Sequence, residues 1–292
     1  MPTYSIKNLE NLTGIHAHTI RIWEQRYNLL RPVRTPTKIR VYSDKDLRKL
    51  LSVALLNANG LKISKAAKLT DDDIAEAVLR LSESQDARLE SQIETLKLIM
   101  VEMNENKFDK LFSHLVVQMG FEETLIKVFV PFLKRLTYLW QTGSVTVAQI
   151  NFITSLYKQK LYVAIDGLAP AERNDSKKIV MFLPKGEQLD NVLLFCNYMA
   201  KKRGFHTLYL GDSFPVEELE EVLEKNPESI LLSVATLAKI DLTKYYNKVL
   251  SYCTGNQKLY LTGSQTGTVK ISDPRMAVLN DCSEFLAILD QL

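Results

Sequence analysis

Cationic side chains are concentrated near the N-terminus of this sequence, where they could bind a polyanion. Residues 1–70 contain thirteen Lys/Arg against four Asp/Glu, a net charge of +9, whereas the whole chain of 292 residues carries +3. The remaining residues therefore carry −6. A basic segment attached to an acidic body is typical of proteins that bind nucleic acid.

Nothing in the sequence has the spacing typical of catalytic or metal-binding residues. Cys196, Cys253 and Cys282 are far apart and form no CxxC pair, which indicates buried thiols in a reducing compartment. The four histidines do not cluster with the cysteines at metal-ligand spacing. We therefore predict a protein that is not an enzyme, with no catalytic residues and no metal.

Hydropathy predicts no membrane partner, because no long uncharged apolar run is present. The first ten residues also lack the basic and apolar regions of a secretory signal. With 46% hydrophobic and 24% charged residues, the composition is that of ordinary globular domains. We expect a cytoplasmic protein of two or three domains.

Two short helices joined by a glycine turn are predicted to position the N-terminal cations. Ser5 can cap the first helix, and Gly14 ends it. The second helix, residues 16–27, has Ile20 and Trp23 on its inner side. A basic second helix in such a pair favours presentation to the major groove of DNA. Its candidate DNA-binding residues are His18, Thr19, Arg21, Arg26 and Tyr27.

The next segment, residues 31–42, predicts a hairpin or wing. It contains two prolines, alternating apolar residues and four cations. Arg34, Lys38 and Arg40 could reach phosphates or the adjacent minor groove. Ser43 then caps a further helix.

These segments resemble the MerR family of bacterial transcription regulators in content, order and spacing. The motifs are R-x-W-E-x-R-Y at residues 21–27, R-V-Y-S-x-x-D-L at residues 40–47 and G-L-x-I at residues 60–63. The resemblance implies that the second helix enters the major groove and that Arg40 and Tyr42 flank the duplex. Trp23 is expected in the core, and Glu24 can pair with Arg21 or with another neighbour.

Beyond residue 75 the pattern changes twice. Helical periodicity predicts helices at 72–82, 87–103, 105–118, 121–140 and 146–166, with Pro131 bending or breaking the fourth. After a polar linker, strands are predicted at 179–183, 207–210, 229–235 and 258–262, with a weaker one at 277–279, and helices between them. The fold class is therefore multidomain, α and α/β: a winged helix-turn-helix (1–75), a helical bundle (76–168) and a Rossmann-like parallel α/β domain (177–292).

This domain order is similar to that of the CarH-type cobalamin-dependent photoreceptor regulators. Residues 184–215 resemble the start of their cobalamin domain, and Ser233 and Gly263 fall where that family has a serine and a glycine pair. Thr262 replaces one glycine of that pair. The resemblance implies a cobalamin-binding type of fold.

The residues with which that family holds cobalamin are largely replaced. Leu189 stands at the position of the axial histidine, and Val192 at that of the glycine beside the nucleotide tail. Trp140, from the segment that covers the upper cobalamin face, is retained, but the downstream Glu-His pair aligns with Ile150 and Asn151. We therefore predict a degenerate pocket and no cofactor, with cobalamin possible but disfavoured.

The sequence is compatible with three functions. The first is a regulator that binds a double-stranded DNA operator as a homo-oligomer, and that is controlled by self-association or by a protein antirepressor, as the resemblance implies for related regulators. The second senses cobalamin or another small molecule, with the loop at residues 263–267 as a weak phosphate cradle. The third, and least favoured, is a corrinoid carrier subunit of a methyltransferase.

Overall fold

The computed structural model describes residues 3–83, 89–169, 178–187, 190–211, 214–236 and 238–292. They form two compact units, Met1–Leu156 and Tyr157–Leu292, which we describe one at a time. The predicted division into three domains differs from these two units in its boundaries, and it stays a prediction.

The first unit opens with the predicted helix-turn-helix. Helix α1 (Ile6–Thr13) begins with a capping box in which Ser5 and Asn8 exchange hydrogen bonds, and such a cap satisfies backbone N–H groups that have no partner within the helix. Gly14, with φ of +71°, ends α1 in the left-handed region. Helix α2 (Ala17–Tyr27) follows, with Ile20 and Trp23 buried.

A small antiparallel sheet is formed by strands before and after these two helices, and its hairpin is the wing. Its strands β1 (Thr3–Tyr4), β2 (Val33–Arg34) and β3 (Arg40–Ser43) are ordered β1-β3-β2. Strands β2 and β3 form the predicted hairpin. Strand β1 was not predicted, because it has two residues and depends on pairing with a strand some forty positions away.

The helices that follow agree with the predicted periodicity. They are α3 (Asp44–Ala58), α4 (Ile63–Ala66), α5 (Asp71–Glu83), α6 (Leu89–Glu102), α7 (Glu105–Met119), α8 (Phe121–Thr124), α9 (Val130–Gln141) and α10 (Val147–Asp166). A π-helical turn, Leu125–Phe129, separates α8 from α9. It comes just before Pro131, which has no N–H to donate, so the expected break in the fourth predicted helix is present.

The second unit contains a five-stranded parallel sheet ordered β5-β4-β6-β7-β8. The strands are β4 (Ile179–Phe182), β5 (Thr207–Gly211), β6 (Ile230–Val234), β7 (Lys258–Thr262) and β8 (Met276–Val278). Helices α11 (Asn191–Lys202), α12 (Leu219–Glu224), α13 (Leu242–Tyr252) and α14 (Cys282–Leu289) complete the unit. Every residue of β4 and β6 is buried, as expected for the central strands of a parallel sheet.

The predicted fold class is confirmed: a helix-turn-helix, a helical region and a parallel α/β sheet follow one another along the chain. Within the described ranges, no helix has the length and apolar character needed to cross a membrane.

Candidate nucleic-acid interface

Helix α2 packs against the core with one face and exposes the other face to solvent. Ile20 is fully buried and Trp23 nearly so, which fixes the rotation of the helix about its axis. The predicted DNA-binding side chains therefore lie on its outer faces: His18, Arg21 and Arg26 are exposed, and Thr19 and Tyr27 are half-buried.

The wing presents further cations from a rigid turn. Thr35 N–H donates to Ile39 O at 2.9 Å, and Ile39 N–H donates to Thr35 Oγ1 at 3.1 Å. Lys38, with φ of +62°, occupies the left-handed region within this turn, a conformation that costs free energy for a residue other than glycine. Arg34 and Lys38 are exposed.

Glu24 joins helix α2 to the wing. Its Oε1 accepts from Arg40 Nε at 3.1 Å, and its Oε2 accepts from Tyr42 Oη at 3.1 Å. Both partners lie on β3, where residues two apart share a face. Sequence reasoning left the partner of Glu24 open, and the structure selects Arg40 and Tyr42.

Tyr42 requires a correction to the predicted set of surface contacts. Its side chain is fully buried, so it is not placed to touch a duplex directly. Burial, and then the adjacent Glu24 carboxylate, raise the pKa of Tyr42 well above its ordinary value, which keeps the hydroxyl protonated as a donor. Tyr42 therefore helps to hold Glu24 between α2 and β3.

The predicted cobalamin-pocket positions divide between the two units. In the first unit, Trp140 is half-buried on α9, Ile150 is buried and Asn151 is exposed on α10. In the second unit, Val192 is half-buried in the first turn of α11. Leu189, at the position of the axial histidine, lies outside the described residues.

Ser233 of the second unit is already engaged. It is fully buried on β6, and its Oγ lies 2.9 Å from the hydroxyl of Tyr246 on α13. Tyr246 is also fully buried, among the apolar side chains that connect the sheet to α13. The serine at this family position thus forms an intramolecular hydrogen bond with Tyr246.

Gly263 is required by the close approach of two loops. A Cβ atom built on it would lie 2.2 Å from the carbonyl oxygen of Ala235, and its φ is +120°. Gln265 N–H donates to the same carbonyl at 3.0 Å. Ser264 Oγ donates to Thr236 O at 3.1 Å. These bonds hold the loop after β7 to the loop after β6, so the segment at residues 263–267 is explained without a phosphate.

We tested whether the residues present fit a cobalamin. Its nucleotide tail needs room and free polar groups, but Ser233 is paired with Tyr246 and Gly263 faces a backbone carbonyl. Buried Glu187 likewise uses Oε2 to accept from Thr236 N–H, at 2.6 Å. In the part of the chain that is described, no cluster of three or more His, Cys, Asp or Glu could hold a metal ion. These contacts engage Ser233 and Glu187 with the protein itself, and the absence of cobalamin stays a prediction.

The comparisons with known proteins agree with this architecture. Residues 4–73 match the family "MerR HTH family regulatory protein", and residues 92–165 match "B12 binding domain". The fold and these two matches thus indicate a helix-turn-helix transcription regulator with a MerR-type segment and a B12-binding-type helical segment.

Its relatives include two repressors of Myxococcus xanthus. The chain is 27% identical to the HTH-type transcriptional repressor CarH over 237 residues, which is 79% of this chain and 78% of that protein. It is 24% identical to the HTH-type transcriptional repressor CarA over 79% of this chain and 76% of that protein. The HTH-type transcriptional regulator MlrA of Salmonella typhimurium is 29% identical over 36% of this chain and 45% of that protein. The chain is homologous to these regulators.

Among solved structures, the monomethylamine corrinoid protein of Methanosarcina barkeri superimposes with a TM-score of 0.54 at 15% sequence identity. The match covers 70% of this chain and 100% of that chain. At this identity it shows a shared fold.

Proposed function

We propose that the protein binds a double-stranded DNA operator through α2 and the wing, as a cytoplasmic homo-oligomer that needs no cobalamin. The observation that carries the proposal is the Glu24 bridge to Arg40 and Tyr42, because it fixes a basic helix and a basic hairpin as one surface. A preorganised surface loses less conformational entropy when it binds its partner.

Each cation has a role that follows from its place. Arg21, exposed on α2, is the candidate for reading a base edge in the major groove, where arginine pairs with guanine O6 and N7. Arg34 and Lys38, exposed on the hairpin, are candidates for phosphate contacts, which supply affinity without sequence information. Arg40 can contact the duplex while Glu24 holds its Nε. The remaining candidate contacts are His18, Thr19, Arg26 and Tyr27.

One small head buries little DNA surface, which favours two or more protomers on repeated half-sites. The experiment is a titration of a labelled duplex, selected by the protein from a random pool, with Arg21→Ala, Arg34→Ala and Lys38→Ala. Each variant should bind more weakly than the parent chain. Lys225→Ala, which removes an exposed cation of the second unit, should bind like the parent. Unchanged binding by all three variants would remove α2 and the wing from the interface.

The proposal of a cofactor-free regulator is supported by the second unit. Ser233 and Gly263 are engaged with the protein itself, and leucine at position 189 has no lone pair to offer cobalt. Control then falls to self-association or to a protein partner such as an antirepressor. Sedimentation of the protein with and without the selected duplex tests the first of these, because DNA that carries two half-sites should shift the protein to a larger species.

A further inference from the structure

Helix α1 of the DNA-binding head is tied to the helices that follow the head by a buried lysine. Lys97 of α6 is 5% exposed, and its Nζ donates to the carbonyl oxygen of Leu12 at 2.8 Å. Leu12 lies in the last turn of α1, where carbonyl groups lack partners within the helix and a cation is favourable. The bond therefore satisfies the C-terminal end of α1 from outside the head.

The charge of Lys97 is paired within α6 by Glu94, which in turn binds a cation of α9. Glu94 Oε2 lies 2.6 Å from Lys97 Nζ, and Glu94 Oε1 accepts from Arg135 Nη1 of α9 at 3.0 Å. Burial lowers the pKa of Lys97, whereas the Glu94 charge acts in the opposite direction. A buried cation of this kind needs its partners, so α9, α6 and α1 are linked by two ion pairs and one hydrogen bond to a backbone carbonyl.

The loop that follows α9 makes a separate contact with α1. Asn11 Nδ2 donates to Ser144 Oγ at 3.1 Å, and Asn8 Nδ2 donates to Gly143 O at 3.3 Å. Ser144 is 1% exposed. The segment at residues 140–149, which resembles a cobalamin lid in sequence, thus contacts the DNA-binding head.

The Lys97 contact lies next to the turn of the helix-turn-helix, and the contact with Ser144 lies on the preceding part of α1. Leu12 is two residues before Gly14, where the chain turns from α1 towards α2. Arg135 lies within α9, and Ser144 lies three residues after its last residue. A displacement of α9 would therefore act on α1 at two points, and through the turn on α2.

We propose that Lys97 and Ser144 are positioning residues for DNA binding, which couple the recognition helix to α9 so that each responds to the state of the other. This inference rests on the proposed DNA-binding function. Coupling of this kind is reciprocal. If the state of α9 changes DNA affinity, then DNA must change the stability of the segment around Ser144, although that segment contributes none of the candidate DNA contacts.

The test is amide hydrogen exchange on the full chain, with and without the selected duplex. In the parent protein, DNA should slow exchange at residues 142–149 by about fivefold or more, the lower end of typical coupling factors. Lys97→Met, which keeps the aliphatic stem, and Ser144→Ala, the milder change, should both lose that DNA-induced slowing. Lys107→Met is the matched control, because it removes a cation paired with Glu102 on the neighbouring helix. It should keep the parental response.

The outcomes are distinguishable. Loss of the response in both Lys97→Met and Ser144→Ala, in variants that remain folded and still bind DNA, supports the coupling. A parental response in folded Lys97→Met and Ser144→Ala overturns it. A duplex that binds without slowing exchange at residues 142–149 in the parent protein overturns the coupling and leaves the DNA-binding function intact. Failure of the parent protein to bind any selected duplex overturns the proposed function and the coupling together.

Discussion

Glu24 on the recognition helix and Arg40 on the wing form an ion pair of 3.1 Å between Oε1 and Nε. Both side chains are largely withdrawn from solvent, with 14% and 24% exposure. The same carboxylate accepts from the buried hydroxyl of Tyr42. One acidic group thus links the helix to the wing by two bonds, in a surface whose other candidate contacts include five cationic or potentially cationic side chains.

The Glu24 bridge should contribute to folding stability. We expect Glu24→Ala to lower the free energy of unfolding by about 1–3 kcal/mol, because it leaves a part-buried guanidinium and a buried hydroxyl without their acceptor. Urea denaturation measures the change. Glu76→Ala, which breaks an exposed pair with Arg80, should cost about 0.5 kcal/mol or less. Equal losses in the two variants would contradict a structural role for the bridge.

Mutations of Arg21 and Lys38 should have different effects, because we assign base recognition to Arg21 and phosphate binding to Lys38. Arg21→Ala should reduce discrimination at one operator position by about 1–3 kcal/mol. Lys38→Ala should weaken binding to all duplexes alike and reduce the salt dependence by roughly one counterion. Competition assays over a set of point-mutated duplexes, repeated at several salt concentrations, measure both effects. If Lys38→Ala changed sequence preference and Arg21→Ala did not, the two assignments would have to be exchanged.

Gly263 should resist substitution for a reason internal to the fold. We expect Gly263→Ala to destabilise the second unit by about 2–4 kcal/mol, since its Cβ would meet the Ala235 carbonyl and its φ disfavours L side chains. Gly267→Ala in the same loop has open space around it and should be close to neutral. Thermal unfolding followed by circular dichroism compares the two. A stable Gly263→Ala protein would reopen the question of a ligand at this loop.

The start of α3 should depend on its cap. Ser43 and Asp46 form a capping box, with Asp46 N–H donating to Ser43 Oγ at 3.2 Å. Ser43→Ala should lower stability by about 1 kcal/mol. Ser113→Ala, on the exposed side of α7, should leave stability unchanged or slightly increase it, because alanine is the better helix former. The same denaturation experiment reads both variants.

The sequence predicts the elements well where the signal is local. The break near Pro131 follows from a missing N–H, and the cap of α3 follows from the spacing of Ser43 and Asp46. Strand β1 was missed because its existence depends on pairing Thr3 with Ser43 rather than on its own residues. Local patterns do not report such long-range partners.

In the candidate site, too, local features could be predicted from the sequence and long-range contacts could not. The exposure of Arg21 follows from the burial of Trp23 two positions later on a helix. Strand alternation puts Tyr42 on the same face as Arg40, but its burial was not predicted, because it depends on packing against other elements and on the bond to Glu24 of α2. The pairing of Ser233 with Tyr246 could not be predicted either, since it joins a strand to a helix thirteen residues away whose packing depends on the whole sheet.

The most direct test of the account is an anisotropy titration of the selected duplex with protein prepared free of cobalamin, repeated with adenosylcobalamin in the dark and after illumination. The account predicts tight, salt-dependent binding by the cofactor-free protein, with the same affinity in all three conditions. Binding that appears only when adenosylcobalamin is added, or that is lost on illumination, would contradict it.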